Sequence, residues 1–296
     1  MYYGIDIGGT TAKIGAFEND KLVKTWAVDM HVDSLETMVN NILDSIKAID
    51  DNILGIGIDC PGFITDNLVR SSANLHFLDG VNLKDAFAKK VSCPVRVIND
   101  ANCHALGEAM YKKMDNIMFI TLGTGVGGGF VYNNKVLEGE FGSFMEIGHV
   151  HVDDEYNFRC GCGQVGCLET VCGQKGVYNL VDYFRKDYAT KLGYDYTVKD
   201  VFDLAKVNDP LAFKVFEIFT DKLGLALANA ATILNPKTII IGGGISSAGD
   251  FLLRHIKSNF LKYVNDNLRE TEIILASLKN EAGMYGAYYL VKNTKN

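Results

Sequence analysis

The sequence predicts an α/β protein of two domains, and three observations carry that expectation. Strand-like apolar runs alternate with segments of helical periodicity in both halves of the chain. Two segments echo each other, YYGIDIGGTTAKIGAF at 2–17 and IMFITLGTGVGGGFVY at 117–132: each is a β-rich run, a glycine and threonine turn, and a second β-rich run. The chain has 296 residues, 48% of them apolar, which suffices for one large or two medium cores.

Each echo segment reads as a hairpin, because β-branched residues continue on both sides of the turn. Asp33 and Ser34 open a helix in which Leu35, Met38, Val39, Ile42, Leu43 and Ile46 recur at helical spacing. LGIGID at 54–59 and VRVI at 95–98 are strands, and ANCHALGEAMYKK at 101–113 is helical. Helices follow near 211–234, then a strand and glycines in TIIIGGG at 238–244, then a helix through FLLRHIKSNFLKYV at 251–264. The polar, tyrosine-rich stretch from about 183 to 200 is expected to be a surface insertion. The division expected is a smaller first domain over 1–118 and a larger second over 119–280, with a helix at about 281–293 packing back on the first.

Composition narrows the function. A formal net charge of −7 argues against a general nucleic-acid partner. The opening residues lack a basic segment followed by an apolar run, and no stretch approaches the roughly 20 apolar residues that span a bilayer. The expectation is a soluble, cytoplasmic protein with small-molecule partners and no membrane contact. Seven cysteines, an odd number in a chain this long, argue against a disulfide framework. Three of them fall within CGCGQVGC at 160–167.

Gly123, Gly125 and Gly128 satisfy the dinucleotide spacing GxGxxG, but FVYNNKV follows where that motif needs a helix. No Gly-Lys pair occurs, so a Walker A loop is absent. What remains is two hairpin loops, Gly8-Gly9-Thr10-Thr11 and Gly123-Thr124-Gly125, whose backbone N–H groups can approach phosphate oxygens. Asp6, ending the first strand, is placed to hold a magnesium ion through water. His149, Cys160, Cys162 and Cys167 supply one imidazole and three thiolates, a closed set of the kind that holds structural zinc. The other reading of that segment is a glycine-rich loop with incidental thiols. Asp100, between a strand and a helix, has a plain alternative role as an N-cap.

Taken in order, GIDIGGTTAK, NDAN at 99–102, TLGTGVGGG, EIGH at 146–149, CGCGQVGCLE and IIIGGGIS resemble a sugar kinase of the ROK family (repressor, open reading frame, kinase). That family lies within the actin-like ATPase superfamily, and the likeness covers nearly the whole chain. It implies a ribonuclease H-like fold in two domains about a cleft, a homodimer, and transfer of phosphate from ATP, with Mg²⁺, to the 6-hydroxyl of a hexose. By this likeness Asp100 is the general base. Glu146, His149 and Glu169 contact the sugar, with Asn99 and Asn74 on other edges. Asp6, Gly8, Gly9, Thr10, Thr11, Lys13, Gly123, Thr124 and Gly125 attend the phosphates, and Gly242, Gly243 and Gly244 the adenosine. Structural zinc on His149, Cys160, Cys162 and Cys167 fixes the sugar-binding loop.

Two positions depart from the family pattern. Met145 precedes Glu146 where glycine is usual, and Cys172 is similar to the allose kinases. The hexose expected is of the glucose, N-acetylmannosamine or allose type. Cys60, Cys93 and Cys103 read as core thiols. Three alternatives compete. A repressor of the family would need a helix-turn-helix ahead of Gly4, which only three residues precede. An ATPase activating a dehydratase would use its cysteines for an iron–sulfur cluster. A sugar-binding module would lack turnover.

Overall fold

The structure is a computed structural model that describes residues 1–32, 34–72 and 75–293. In chain order the elements are β1 (Tyr2–Ile7), β2 (Thr11–Glu18), β3 (Lys21–Asp29), α1 (Leu35–Lys47), β4 (Gly55–Cys60), β5 (Phe63–Thr65), β6 (Leu68–Ser71), α2 (Leu83–Ala88), β7 (Val95–Asn99) and α3 (Asp100–Lys112). There follow β8 (Asn116–Leu122), β9 (Val126–Tyr132), β10 (Lys135–Val136), α4 (Glu169–Cys172), α5 (Gln174–Phe184), α6 (Val198–Lys206), α7 (Pro210–Leu234), β11 (Thr238–Gly242), α8 (Asp250–Tyr263), β12 (Glu272–Leu275) and α9 (Ala282–Lys292).

The echo between the two halves is real at the level of topology. One five-stranded sheet runs β3-β2-β1-β4-β7 and the other β10-β9-β8-β11-β12. In the first, β1 and β2 form an antiparallel hairpin while β4 and β7 join in parallel. In the second, β11 lies parallel to both β8 and β12. Both turns expected as hairpins are hairpins, and Asn133 and Asn134 make the next tight turn with φ of 51° and 61°. Positive φ at two central residues is what a two-residue hairpin demands, and asparagine tolerates it.

The chain divides into two compact units. The first comprises 1–115, 129–144 and 278 onward; the second comprises 116–128 and 145–277. The boundaries differ from a cut near 118, because 129–144 groups with the first unit. Residues of β10 pack against α3 there.

In the first unit Ile5, Ile14, Ile56 and Ile58 bury against Met38, Ile42 and Ile46 of α1. Ser34 caps that helix by accepting the N–H of Thr37, whereas Asp33 lies outside the described residues. On the other side α9 packs on β1, β4 and α3. Tyr288 of α9 stacks on Phe17 with centroids 4.2 Å apart.

In the second unit the long helix α7 begins with Asp209 as N-cap and Pro210 in the first turn, and ends at Asn235 in the left-handed conformation. Its Phe216 and Phe219 meet Phe202 of α6 edge to face. Among the described residues, no helix is long and apolar enough to cross a membrane.

Candidate active site

The residues singled out from sequence fall on both units. On the first, Asp6 lies near the end of β1, Asn99 ends β7 and Asp100 opens α3, with β4 between the two strands. Asn99, not Asp100, is the N-cap of α3: its side-chain oxygen accepts the N–H groups of Ala101 and Asn102 at 3.0 and 3.2 Å. The capping role considered for Asp100 is therefore corrected, since the residue before it already satisfies those donors. The Asn99 amide donates to Gly62 O at 2.8 Å and to Asp100 Oδ1 at 2.9 Å. Ala101 N–H also reaches Asp100 Oδ1 at 2.9 Å. Asp100 is thus held by one oxygen, and among the described residues Oδ2 takes no hydrogen bond. Asp100 opens α3 and is half-exposed.

Asp6 pairs with Lys13 across the β1–β2 hairpin and with Asp59 along β4. Burial raises its pKa, opposed by His104 and Lys13. The turn holding Gly8, Gly9, Thr10 and Thr11 is closed by Gly8 N–H to Thr11 O at 2.9 Å, while Gly9, Thr10 and Thr11 are exposed. Asn74, a sugar-contact candidate, lies outside the described residues. Cys60 and Cys103 are core thiols as expected, and Cys93 is half-buried.

On the second unit Glu146, His149, Glu169 and the three cysteines converge. His149 Nδ1 lies 3.5 Å from Cys160 Sγ, and Cys162 Sγ lies 3.7 Å from Cys167 Sγ. All four donor atoms fall within 4.8 Å of one another. The other imidazole nitrogen, Nε2, faces Glu146 Oε2 at 4.0 Å. Burial pushes the Cys160 and Cys167 thiols up, whereas the Gln164 N–H holds Cys162 below the usual thiol range. Glu169 joins this cluster to the glycine loop: Oε2 accepts Val126 N–H at 3.0 Å. A Cβ on Gly125 would stand 2.2 Å from that same oxygen, so a larger residue there would have to displace the Glu169 carboxylate from Val126.

Met145 adopts φ of 66°, the left-handed region in which glycine is at ease. The usual glycine at this position therefore has a backbone reason, and methionine here carries strain of about 1 kcal/mol or more.

A cavity of about 490 Å³ within the second unit is lined by Gly123, Thr124, Gln174, Gly244, Ile245 and Ser247, together with Thr197, the N-cap of α6, and residues of α6 itself. Of the three adenosine-region glycines, only Gly244 lines it. Gly242 sits in β11 against Phe119, and Gly243, at φ 81°, abuts the Leu122 backbone. The α6 wall was not anticipated. Thr197, Val198 and Lys199 belong to the stretch read as a surface insertion, and Phe202, Asp203 and Lys206 follow it. Lys199 and Lys206 both pair with Asp203, at 2.5 and 2.7 Å.

The ROK family model matches residues 2–294. The chain is 37% identical to a glucokinase of Halalkalibacterium halodurans, over 100% of this chain and 96% of that protein. It is 29% identical to an N-acetyl-D-glucosamine kinase of Histophilus somni, covering 97% of each. Among solved structures it is similar to a ROK family glucokinase from Streptomyces griseus in complex with glucose and AMPPNP, with a TM-score of 0.78, 28% identity and 99% of each chain covered. The fold is that of the actin-like ATPases, and the family match over the whole chain, rather than the fold, sets aside the reading as a dehydratase activator. The chain belongs to the ROK family and is a sugar kinase.

Proposed function

We propose that the protein transfers the γ-phosphoryl group of ATP to the 6-hydroxyl of a hexose, with Asp100 as general base. The observation that carries this reading is the holding of Asp100: Oδ1 is tied by the Asn99 amide and the Ala101 N–H, and Oδ2 is left to take the proton of the attacking hydroxyl. The hydroxyl oxygen forms its bond to phosphorus as the bond to the ADP oxygen breaks, and the proton moves to Asp100.

The loops at Gly8 to Thr11 and Gly123 to Gly125 bring N–H groups to the phosphates, with Lys13 and Asp6 beside the first. Magnesium carried with ATP neutralises charge on the phosphates. The cavity walled by Gly244, Gln174 and α6 receives the nucleoside.

Glu146, His149 and Glu169 bind sugar hydroxyls, because carboxylates accept and an imidazole held by metal through Nδ1 donates from Nε2–H. Asn99, whose side chain is spent on Gly62, Asp100 and the helix cap, serves as the residue that orients Asp100.

His149 Nδ1, Cys160, Cys162 and Cys167 fit structural zinc. Tetrahedral bonds of about 2.1 Å to nitrogen and 2.3 Å to sulfur space the donors about 3.6 Å (N to S) and 3.8 Å (S to S) apart. The observed 3.5 and 3.7 Å agree. Such a site leaves no open position, so its effect is to fix the segment carrying His149 against that carrying Glu169. Its thiols belong in the reducing cytoplasm.

The test is a panel of glucose, N-acetylglucosamine, N-acetylmannosamine, allose and fructose with coupled ADP detection. Sugar-dependent ADP release for at least one aldohexose, with the 6-phosphate as product, is expected. ADP release that no sugar stimulates overturns the reading.

A further inference from the structure

Asp6 is flanked by two further side chains that can ligate a cation, Asp59 and His104. Asp6 and Asp59 are register partners on the parallel strands β1 and β4, so their side chains leave the sheet on the same face. His104, one helical turn after Asp100 on α3, reaches over them, with Nε2 3.4 Å from Asp59 Oδ2. One donor atom from each of the three lies within 4.8 Å of the others.

Asp59 is 1% exposed, and among the described residues neither of its carboxylate oxygens takes a hydrogen bond; its partner is the His104 imidazole, in ion-pair contact at 3.4 Å. A buried carboxylate is costly unless positive charge compensates it, and here one imidazole faces two carboxylates, Asp59 and Asp6, so the acids outnumber the base. The far side is shut by α9: a Cβ on Gly283 would come 2.3 Å from Asp59 Oδ2 and 3.0 Å from Asp6 Cγ. The near side is open, since the His104 side chain keeps 28% of its exposure. The cluster therefore has a walled floor, a solvent entrance and donors on three elements.

We propose that Asp6, Asp59 and His104 form a divalent-cation site that binds its ion directly and without nucleotide. Octahedral bonds of about 2.1 Å space neighbouring donors about 3.0 Å apart and opposite donors about 4.2 Å apart. The 3.4 Å pair fits that range, and a small side-chain rotation brings in the third donor. Two carboxylates balance a doubly charged ion. The imidazole shifts preference from Mg²⁺ toward first-row transition ions, of which Mn²⁺ best suits a set dominated by oxygen.

The inference rests on the reading of Asp6 as the residue that faces the cation, and it goes beyond that reading by replacing a water-mediated contact with direct ligation by Asp59 and His104. Because Mg-nucleotide binding is measured separately, the two readings fail separately.

The experiment is Mn²⁺ titration of the nucleotide-free protein, followed by electron paramagnetic resonance, on the natural chain, His104→Gln and Asp59→Asn, with MgATP binding measured on the same samples. Circular dichroism establishes that each variant is folded, and His104→Gln, at a partly exposed position, provides the test if Asp59→Asn does not fold. The expected result is one Mn²⁺ site per chain showing nitrogen coupling, weakened at least about 10-fold in His104→Gln. Absence of nucleotide-free Mn²⁺ binding, or binding and nitrogen coupling unchanged in His104→Gln, overturns the proposal and leaves a proton as the occupant of the cluster. Loss of MgATP binding with Mn²⁺ binding retained instead contradicts the phosphate-site reading and supports this one.

Discussion

Glu169 Oε2 accepts the backbone N–H of Val126 at 3.0 Å, which ties the glycine loop after β8 to the segment that follows the cysteine cluster. The other oxygen, Oε1, lies 3.8 Å from Cys160 Sγ. One carboxylate therefore braces the loop proposed to hold phosphate and the ring of donors proposed to hold zinc. Glu169→Gln keeps the acceptor for Val126 but loses the charge, whereas Glu169→Ala loses both. We expect a higher hexose KM in each variant and a fall in kcat only in Glu169→Ala, because only there is Val126 released. Steady-state kinetics on the preferred sugar checks this, and equal kcat losses in both variants would contradict it.

The metal prediction concerns Cys162, the exposed member of its cluster. The purified protein is expected to carry about one zinc per chain. Cys162→Ser should lose the metal and bind hexose about 10- to 100-fold more weakly, since the ligands orient His149 and brace Glu169. Elemental analysis and sugar titration decide it. Full sugar affinity in a zinc-free variant would separate the metal from the pocket.

Met145 gives a prediction in which structure sharpens what sequence offered. Its left-handed backbone means that Met145→Gly relieves strain while adding freedom to the unfolded chain, and the two nearly cancel, to within about 1 kcal/mol. Specificity should move instead, because the side chain lies over Gly128 at the foot of the Glu146 segment. The ratio of kcat/KM between two hexoses is expected to shift roughly 10- to 200-fold, the worth of a few methylenes. A lower Tm with unchanged preference would show that Met145 fills space in the fold and does not shape the sugar pocket.

Acid stability should report on Asp209. Burial acts to raise its pKa, but the N–H groups of Lys191 and Ala212 and the Thr190 hydroxyl outweigh it, so the folded value is lowered. The stabilisation is fully present above the unfolded carboxylate value of about 3.9 and is lost as pH falls through the folded value. Asp209→Ala should cost about 1 to 2 kcal/mol at pH 7. Urea unfolding at pH 7 and pH 3 should show that gap closing in acid, and a constant gap would refute the linkage.

The two hairpins, the strands β4, β7 and β11 and the helices α1, α3, α7, α8 and α9 were legible because periodicity and turn residues are local signals, whereas β3 and β12 were not. Ser34 before an amphipathic run and Asn133-Asn134 between strands are instances. The cysteine cluster was legible because its spacing is compressed. The α6 wall of the cavity was not, since Lys199, Asp203 and Lys206 have the polarity of an ordinary solvated helix face and only the fold brings them beside Gly123. Asp59 and His104 were overlooked for a related reason. A lone aspartate ending a strand and a lone histidine in a helix carry no spacing signal, and it is the parallel register of β1 and β4 that makes them neighbours of Asp6. The cap at α3 went to Asn99 because both residues suit the position, and the backbone chose the one in extended conformation.

Asp100 is proposed above to take the proton from the sugar. The most direct measurement is the single-turnover rate of phosphoryl transfer in Asp100→Asn with saturating hexose and ATP. The account predicts a fall of roughly 10²- to 10⁴-fold with sugar and nucleotide affinities close to those of the natural chain, since the amide keeps the shape and the hydrogen bonds to Oδ1 but cannot accept the proton. A rate within about 3-fold of the natural chain, with the fold intact, would contradict it.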